Sequence, residues 1–229
     1  MKTNFIKILY GALITVLTAV LILFLLWPLI GMRKNSNSND MIQDVKNCLV
    51  VIDCQNDFIT GSLANEEAQK KVPNIVNKIR EFNGEAIFVT RDTHTKNYLN
   101  TKEGKLLPVV HCVEGTEGWQ VEPSIQAALN DAGLRGIKVM YVNKPTFGSR
   151  ELIIRMSNYL DPAGSNIEIC GFCTDICVVS NALLIKEAFY ETADITVDGK
   201  LCAGVTVDSH KAALTTMQMC QINVVNPEY

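Results

Sequence analysis

The segment EICGFCTDICVV, residues 168–179, brings Cys170, Cys173 and Cys177 within eight positions. Three chemistries could use such a group: a metal knot, a redox pair, or a single nucleophile. A structural zinc site takes four ligands, usually as two close pairs. The other cysteines, Cys48, Cys54, Cys112, Cys202 and Cys220, are scattered, which disfavours a four-cysteine site. Cys170 and Cys173 have the redox spacing, but a redox pair works with its first cysteine at a helix N-terminus. Cys170 instead falls inside an apolar run of strand type, where a small buried residue is the ordinary reading. Cys177 is placed differently. With Thr174 as N-cap it lies near the first turn of a helix, where free N–H groups and the helix dipole favour a thiolate. A cysteine packed against the sheet is the blander alternative. The chain has three histidines, His94, His111 and His210. Asp92 and His94, two apart after a strand, can point to the same side, and Glu103 and His111 follow in a loop. Together they offer two imidazoles and two carboxylates, a donor set suited to a divalent ion, zinc foremost, with Mn²⁺ or Fe²⁺ as alternatives. His210 has no ligand-like neighbour and reads as a surface or structural histidine.

These groups must be brought together by the elements between them. Short apolar runs alternate with amphipathic stretches. CLVVID (48–53), EAIFVT (85–90), KVMYVN (138–143), NIEICGF (166–172), ADITV (193–197) and INVV (222–225) read as strands. Residues 66–82, 124–132, 150–160, 175–188 and 207–220 read as helices, the third capped by Ser149. The stretch holding Gly104, Pro108, Gly115 and Gly118 reads as a long polar loop. Such alternation predicts an α/β, three-layer domain, a mostly parallel sheet with helices on both faces. Ligands of these sheets bind at the carboxyl ends of the strands. Asp53 ends the first strand, Asp92 and His94 follow the second, Lys144 the third, and Cys173 and Cys177 the fourth.

VVIDCQNDF, VNKPTFGS and GFCTDICV together resemble the three signature segments of the isochorismatase-like cysteine hydrolases. RDTH with the downstream PVVHC is similar to the nicotinamidases of that superfamily. The resemblance spans residues 47–225 and implies a doubly wound sheet of about six strands, which the alternation matches. It also implies a catalytic triad of Asp53, Lys144 and Cys177. Asp53 would take the thiol proton, Lys144 would lower the thiol pKa, and Cys177 would attack an amide carbonyl to give a thioester. A cis peptide is implied at Phe172–Cys173, with the Cys173 and Cys177 N–H groups as the oxyanion hole. Asp92, His94, Glu103 and His111 then stand as a variant of the nicotinamidase metal set, with glutamate in place of a third histidine. Phe58 and Gln55 are expected to line the substrate pocket. The family commonly has a tryptophan before the proline that precedes the last metal histidine; here Leu106 and Leu107 stand there. Nicotinamide hydrolysis to nicotinate and ammonia is the expected reaction. Another small amide or a carbamoyl compound, or a non-catalytic membrane-associated module retaining the fold, are the alternatives.

The net charge of the whole chain is −3. Residues 45–229 carry −5, because Lys2, Lys7, Arg33 and Lys34 outweigh Asp40 and Asp44 by two in the first 44 residues. An acidic domain without basic runs argues against nucleic acid. Gly11 to Ile30, GALITVLTAVLILFLLWPLI, is free of charge, and is long enough to cross a hydrocarbon core of about 30 Å at 1.5 Å per residue. Residues 1–34 are therefore expected to form a single-pass transmembrane helix with charged flanks, residues 35–44 a polar linker, and residues 45–229 the hydrolase domain. The charge rule leaves the side of the membrane open. Self-association into a homo-oligomer is left open as well.

Overall fold

The computed structural model of the protein describes residues 44–161 and 163–227. The expected anchor (1–34) and the linker as far as residue 43 lie outside the described residues. Among the described residues, no helix is long and apolar enough to cross a membrane.

Six strands, β1 (Asn47–Ile52), β2 (Ala86–Asp92), β3 (Lys138–Lys144), β4 (Ser165–Phe172), β5 (Ala193–Ala203) and β6 (Asn223–Val225), form one sheet in the order β3-β2-β1-β4-β5-β6. Every neighbouring pair is parallel. The central strand β1 is apolar at every position after Asn47, because both of its faces are covered. Val50 and Ile52 face one core with Phe88, Ile169 and Val197. Leu49 and Val51 face the other with Ile87, Val89 and Cys170. This alternation across the pleat places a helical layer on each side.

On the first face pack α5 (Arg150–Tyr159), α6 (Val179–Ala188) and α7 (Val207–Met219), through Leu152, Met156, Ala182, Ile185, Leu214 and Met217. On the second pack α2 (Glu66–Glu81) and α4 (Pro123–Leu134), through Ile75, Ile79, Ile125 and Leu129. Their starts follow the sequence chemistry. The Asn65 side chain accepts from the N–H groups of Glu67 and Ala68, and Ser149 accepts from Leu152, satisfying otherwise orphaned helix donors.

The chain winds outward from β1 to β3, then returns to start β4 on the other side of β1. The strand order therefore reverses between β1 and β4, where a crevice opens at the carboxyl edge. Four local features differ from the sequence expectation. The loop after β2 contains a 3₁₀ turn (Tyr98–Asn100) and a short helix α3 (Lys102–Leu106), capped by Thr101. Another short helix, α1 (Asn56–Ile59), follows β1, and β5 runs on to Ala203 rather than stopping at Val197. The segment after β4 opens as a π-helical turn, Thr174–Val178, before α6 begins. Its N-cap is Cys173, not the expected Thr174, and no side chain caps it.

Candidate active site

Asp53 is the first residue past β1, in a left-handed conformation with φ 47°. That turn sends its fully buried side chain toward the neighbouring strand ends. Thr90 orients it: the Thr90 hydroxyl donates to Asp53 Oδ1 at 2.6 Å and accepts from the Asp53 N–H at 3.1 Å. Asp53 Oδ2 lies 2.6 Å from Lys144 Nζ as an ion pair, and has no hydrogen bond of good geometry among the described residues. Lys144 ends β3 and pairs in register with Asp92 at the end of β2. Its ammonium also donates to the Thr146 carbonyl at 3.0 Å and to Cys177 Sγ at 3.4 Å, and reaches Asp92 Oδ1 at 3.5 Å.

Cys177 sits in the π-helical turn and is 5% exposed. Asn181, one turn on, holds this segment against the loop after β3: its amide donates to the carbonyls of Cys177 (2.8 Å) and Phe147 (3.0 Å) and accepts from the Ser149 N–H (2.9 Å). The Phe172–Cys173 peptide bond is cis. Cys170 is buried in the second core, Cys173 is partly exposed, and the described cysteines are all free thiols. The triad candidates Asp53, Lys144 and Cys177, distant in sequence, thus meet at one ammonium group.

Burial pushes the Cys177 thiol up, and the Asp53 charge adds to this, against the lowering effect of Lys144. Desolvation thus opposes the thiolate that the helix end and the neighbouring cation favour. Burial also raises the Asp53 pKa despite the opposing Lys144 charge, so this carboxylate is a better base than an ordinary one. For Lys144, burial favours the neutral form, but the charges of Asp53 and Asp92 outweigh it and raise the pKa.

Asp92 links this triad to a second cluster. The ligand-type atoms of Asp92, His94, Glu103 and His111 all lie within 4.8 Å of one another. Asp92 Oδ2 is 2.9 Å from His94 Nε2 and 3.4 Å from His111 Nε2, while Glu103 Oε1 is 3.6 Å from His94 Nε2. Histidine 94 is drawn in by the strand-like pairing of its N–H with the Cys112 carbonyl. His111 Nδ1 donates to the Val109 carbonyl at 2.8 Å, which orients the ring with Nε2 turned toward the cluster. The Tyr98 ring packs on both imidazoles, at centroid distances of 4.6 and 4.9 Å. Burial opposes ionisation of Asp92, yet its hydrogen bonds to His111 and His94 and the Lys144 charge hold its pKa below the usual range. Burial and the neighbouring Asp92 raise Glu103. Two imidazole nitrogens and two carboxylates at this separation fit a divalent ion.

A cavity of about 1140 Å³ opens above both clusters. Asp92, Glu103, His111 and Cys177 line it with Phe58, and Phe58 meets His111 edge-on at 5.7 Å. Gln55, expected in the pocket, is not there. It is fully buried, its amide donates to the Asp92 and Trp119 carbonyls, and its oxygen accepts from the Asp92 N–H at 2.7 Å. It fixes the backbone that carries Asp92. Thr90, Asn181 and Tyr98 have equally defined positions that sequence reasoning missed. No spacing singles them out, because each acts across strands or turns remote in sequence.

The isochorismatase domain model matches residues 47–227. Among curated proteins, none matches the chain by sequence. Among solved structures, the chain is similar to the nicotinamidase/pyrazinamidase of Bacillus subtilis, with 25% identity and a TM-score of 0.66 over 79% of this chain and 99% of that one. A pyrazinamidase/nicotinamidase from Streptococcus mutans aligns with 22% identity and a TM-score of 0.65 over 79% and 100% of the two chains. The pyrazinamidase of Pyrococcus horikoshii in complex with zinc aligns with 23% identity and a TM-score of 0.60 over 79% and 98%. A six-stranded parallel sheet with its polar clusters at the reversal point, matched along nearly all its length by one domain model, places this chain in the isochorismatase family.

Proposed function

We propose that the protein is an amidohydrolase in which Cys177 is the nucleophile. The observation that carries this reading is the single Lys144 ammonium touching both Asp53 Oδ2 and Cys177 Sγ at the cavity floor. The nicotinamidase and pyrazinamidase neighbours support the substrate class, with nicotinamide as the first compound to test. On substrate binding, the thiol proton passes to Asp53 and Sγ attacks the carbonyl carbon. The N–H groups of Cys173 and Cys177 receive the developing oxyanion. Asp53 then delivers its proton to the departing nitrogen as the C–N bond breaks and ammonia leaves. Water opens the thioester, its proton returning through Asp53 to the sulfur. Lys144 keeps its charge throughout and stabilises each anionic stage, while Thr90 holds Asp53 in place.

Asp92, His94, Glu103 and His111 would hold a divalent ion, zinc foremost, since one solved neighbour is a zinc complex. Bound there, the ion would supply Lewis acidity and fix a ring nitrogen or a water beside the thiol. Residues 1–34 are proposed to anchor the domain to a membrane through residues 35–44; carbonate-resistant sedimentation of the full chain with membranes tests this, and release into the supernatant refutes it.

Ammonia release from nicotinamide and other small amides is the direct assay. Cys177→Ala is expected to lower kcat by at least about 10³-fold, because the covalent route closes. Retained turnover in Cys177→Ala, with loss in Cys173→Ala, would move the nucleophile. A second reading, hydrolysis of a different small amide or a carbamoyl compound, is favoured by Leu106 and Leu107 lining the cavity.

A further inference from the structure

The lining of the active-site cavity grades from polar and buried to apolar and exposed. Asp92, His111 and Cys177 are 4%, 3% and 5% exposed, whereas Leu106, Leu107, Phe147 and Val205 are 89%, 37%, 42% and 59% exposed. All seven line the same space. Reactive groups therefore occupy its floor, and large apolar side chains stand in water at its mouth. Apolar groups gathered at a cavity mouth mark a place that a ligand covers. The volume of about 1140 Å³ exceeds the roughly 300–1,000 Å³ usual for sites taking drug-sized ligands. One substituted six-membered ring resting on Phe58 would leave the mouth unfilled. The charged residues on the exposed part of the lining, Glu66 and Lys102, have opposite signs, so the entrance selects for neither charge.

We infer that the site takes a neutral primary carboxamide carried on an extended apolar body, the amide at Cys177 and the body running out between Leu106, Leu107, Phe147 and Val205. This rests on the amidohydrolase reading above. Leu106 and Leu107 belong to the end of α3 and the residue after it, and α3 also supplies Glu103. The helix that completes the lower cluster thus also builds one side of the mouth. Phe147 and Val205 come from the loops after β3 and β5. Specificity would then reside in side chains that take no part in bond making. Each methylene moved from water onto these groups is worth about fourfold in binding.

The test is kcat/KM of the full chain for ammonia release from acetamide, butyramide, hexanamide and octanamide, with nicotinamide as the flat reference. The expected result is a rise of about fourfold per methylene between butyramide and hexanamide, with hexanamide surpassing nicotinamide. Leu106→Asp should lower the hexanamide-to-acetamide ratio at least tenfold. The control Leu134→Asp, at an exposed site that does not line the cavity, should keep the wild-type ratio. Hydrolysis of nicotinamide and acetamide without a rise along the series overturns the extended-body inference and leaves the amidohydrolase reading standing. A rise that Leu106→Asp leaves intact also overturns it. If no amide in the panel is hydrolysed, the amidohydrolase reading fails, and this inference with it.

Discussion

His210 is fully buried, and its Nδ1 shares a 2.8 Å hydrogen bond with the Thr174 hydroxyl. Thr174 lies between Cys173 and Cys177, the two proposed oxyanion donors, so this histidine braces the turn that carries them. Of the two readings left by the sequence, surface or structural, the structure shows the second. Burial lowers the His210 pKa from 6.5 to about 4, with Lys71 and Lys211 adding to the effect and Asp175 opposing it. The sign follows from linkage. Between pH 6.5 and about 4 the unfolded chain binds a proton here that the folded chain does not, so stability falls as pH falls across that window. His210→Gln keeps an amide partner for Thr174 and removes the titration. Urea midpoints of wild type and variant should therefore diverge at pH 7 and converge toward pH 4. Parallel midpoints across this range would show that His210 titrates no differently in the fold. A lowered kcat with unchanged KM in the same variant would place its effect on the nucleophile turn rather than on substrate binding.

At the level of elements, the end of β4 is the tightest junction. Gly171 has φ +123°, and a Cβ there would meet the Ile52 carbonyl oxygen at 2.1 Å. Ile52 is the last residue of β1, directly before Asp53, and Gly171 is two residues before Cys173. Close approach of these two backbones sets the distance between Asp53 and the turn carrying Cys177. Gly171→Ala is expected to cost about 2–4 kcal/mol, from overpacking together with an unfavourable dihedral, and to lower kcat in whatever fraction stays folded. A denaturation midpoint equal to wild type would show that the junction can give way. The same junction explains which features were legible. Asp53, Asp92 and Lys144 stand at or just past a strand end and Cys177 follows Phe172 within a short turn, so their shared edge could be read from the order of strands. Glu103 reads as a loop residue in the sequence but stands on α3, a helix of five residues too short to show a period. The π-helical turn has an i→i+5 pattern that sequence does not encode distinctly from an α-helix, which is why the cap fell on Thr174 rather than Cys173. Gln55 adjoins Asp53 and Phe58 in sequence and so reads as a pocket residue, while its amide is held by Asp92 and Trp119 across the fold.

Taken as a whole, the domain concentrates like charges where folding gains least from them. Asp92 and Glu103 are drawn together beside two imidazoles, and Glu103 is raised by burial and by Asp92. The four groups come from the end of β2 and just past it, from α3 and from the segment after it, so the cluster joins the excursion after β2 to the edge of the sheet. A divalent ion held there would tie residues 92–111 to the sheet and stabilise the folded chain by mass action. At a free ion concentration of about 100 times Kd the gain is about 2.7 kcal/mol, which for a domain of this size corresponds to a rise in Tm of roughly 5–10 °C. Zinc added to chelator-treated protein should produce that rise, and Mn²⁺ a smaller one, as expected from their affinities for nitrogen and oxygen donors. Glu103→Gln removes one charged donor without changing shape and should cut the zinc-induced rise by at least half while leaving the metal-free Tm within about 2 °C of wild type, since a half-buried carboxylate away from the core contributes little by itself. Equal rises in wild type and Glu103→Gln would take Glu103 out of the ligand set. The absence of any rise with zinc, manganese or iron would leave the cluster as a hydrogen-bonded support for Asp92, whose other oxygen reaches Lys144 and, through it, the thiol.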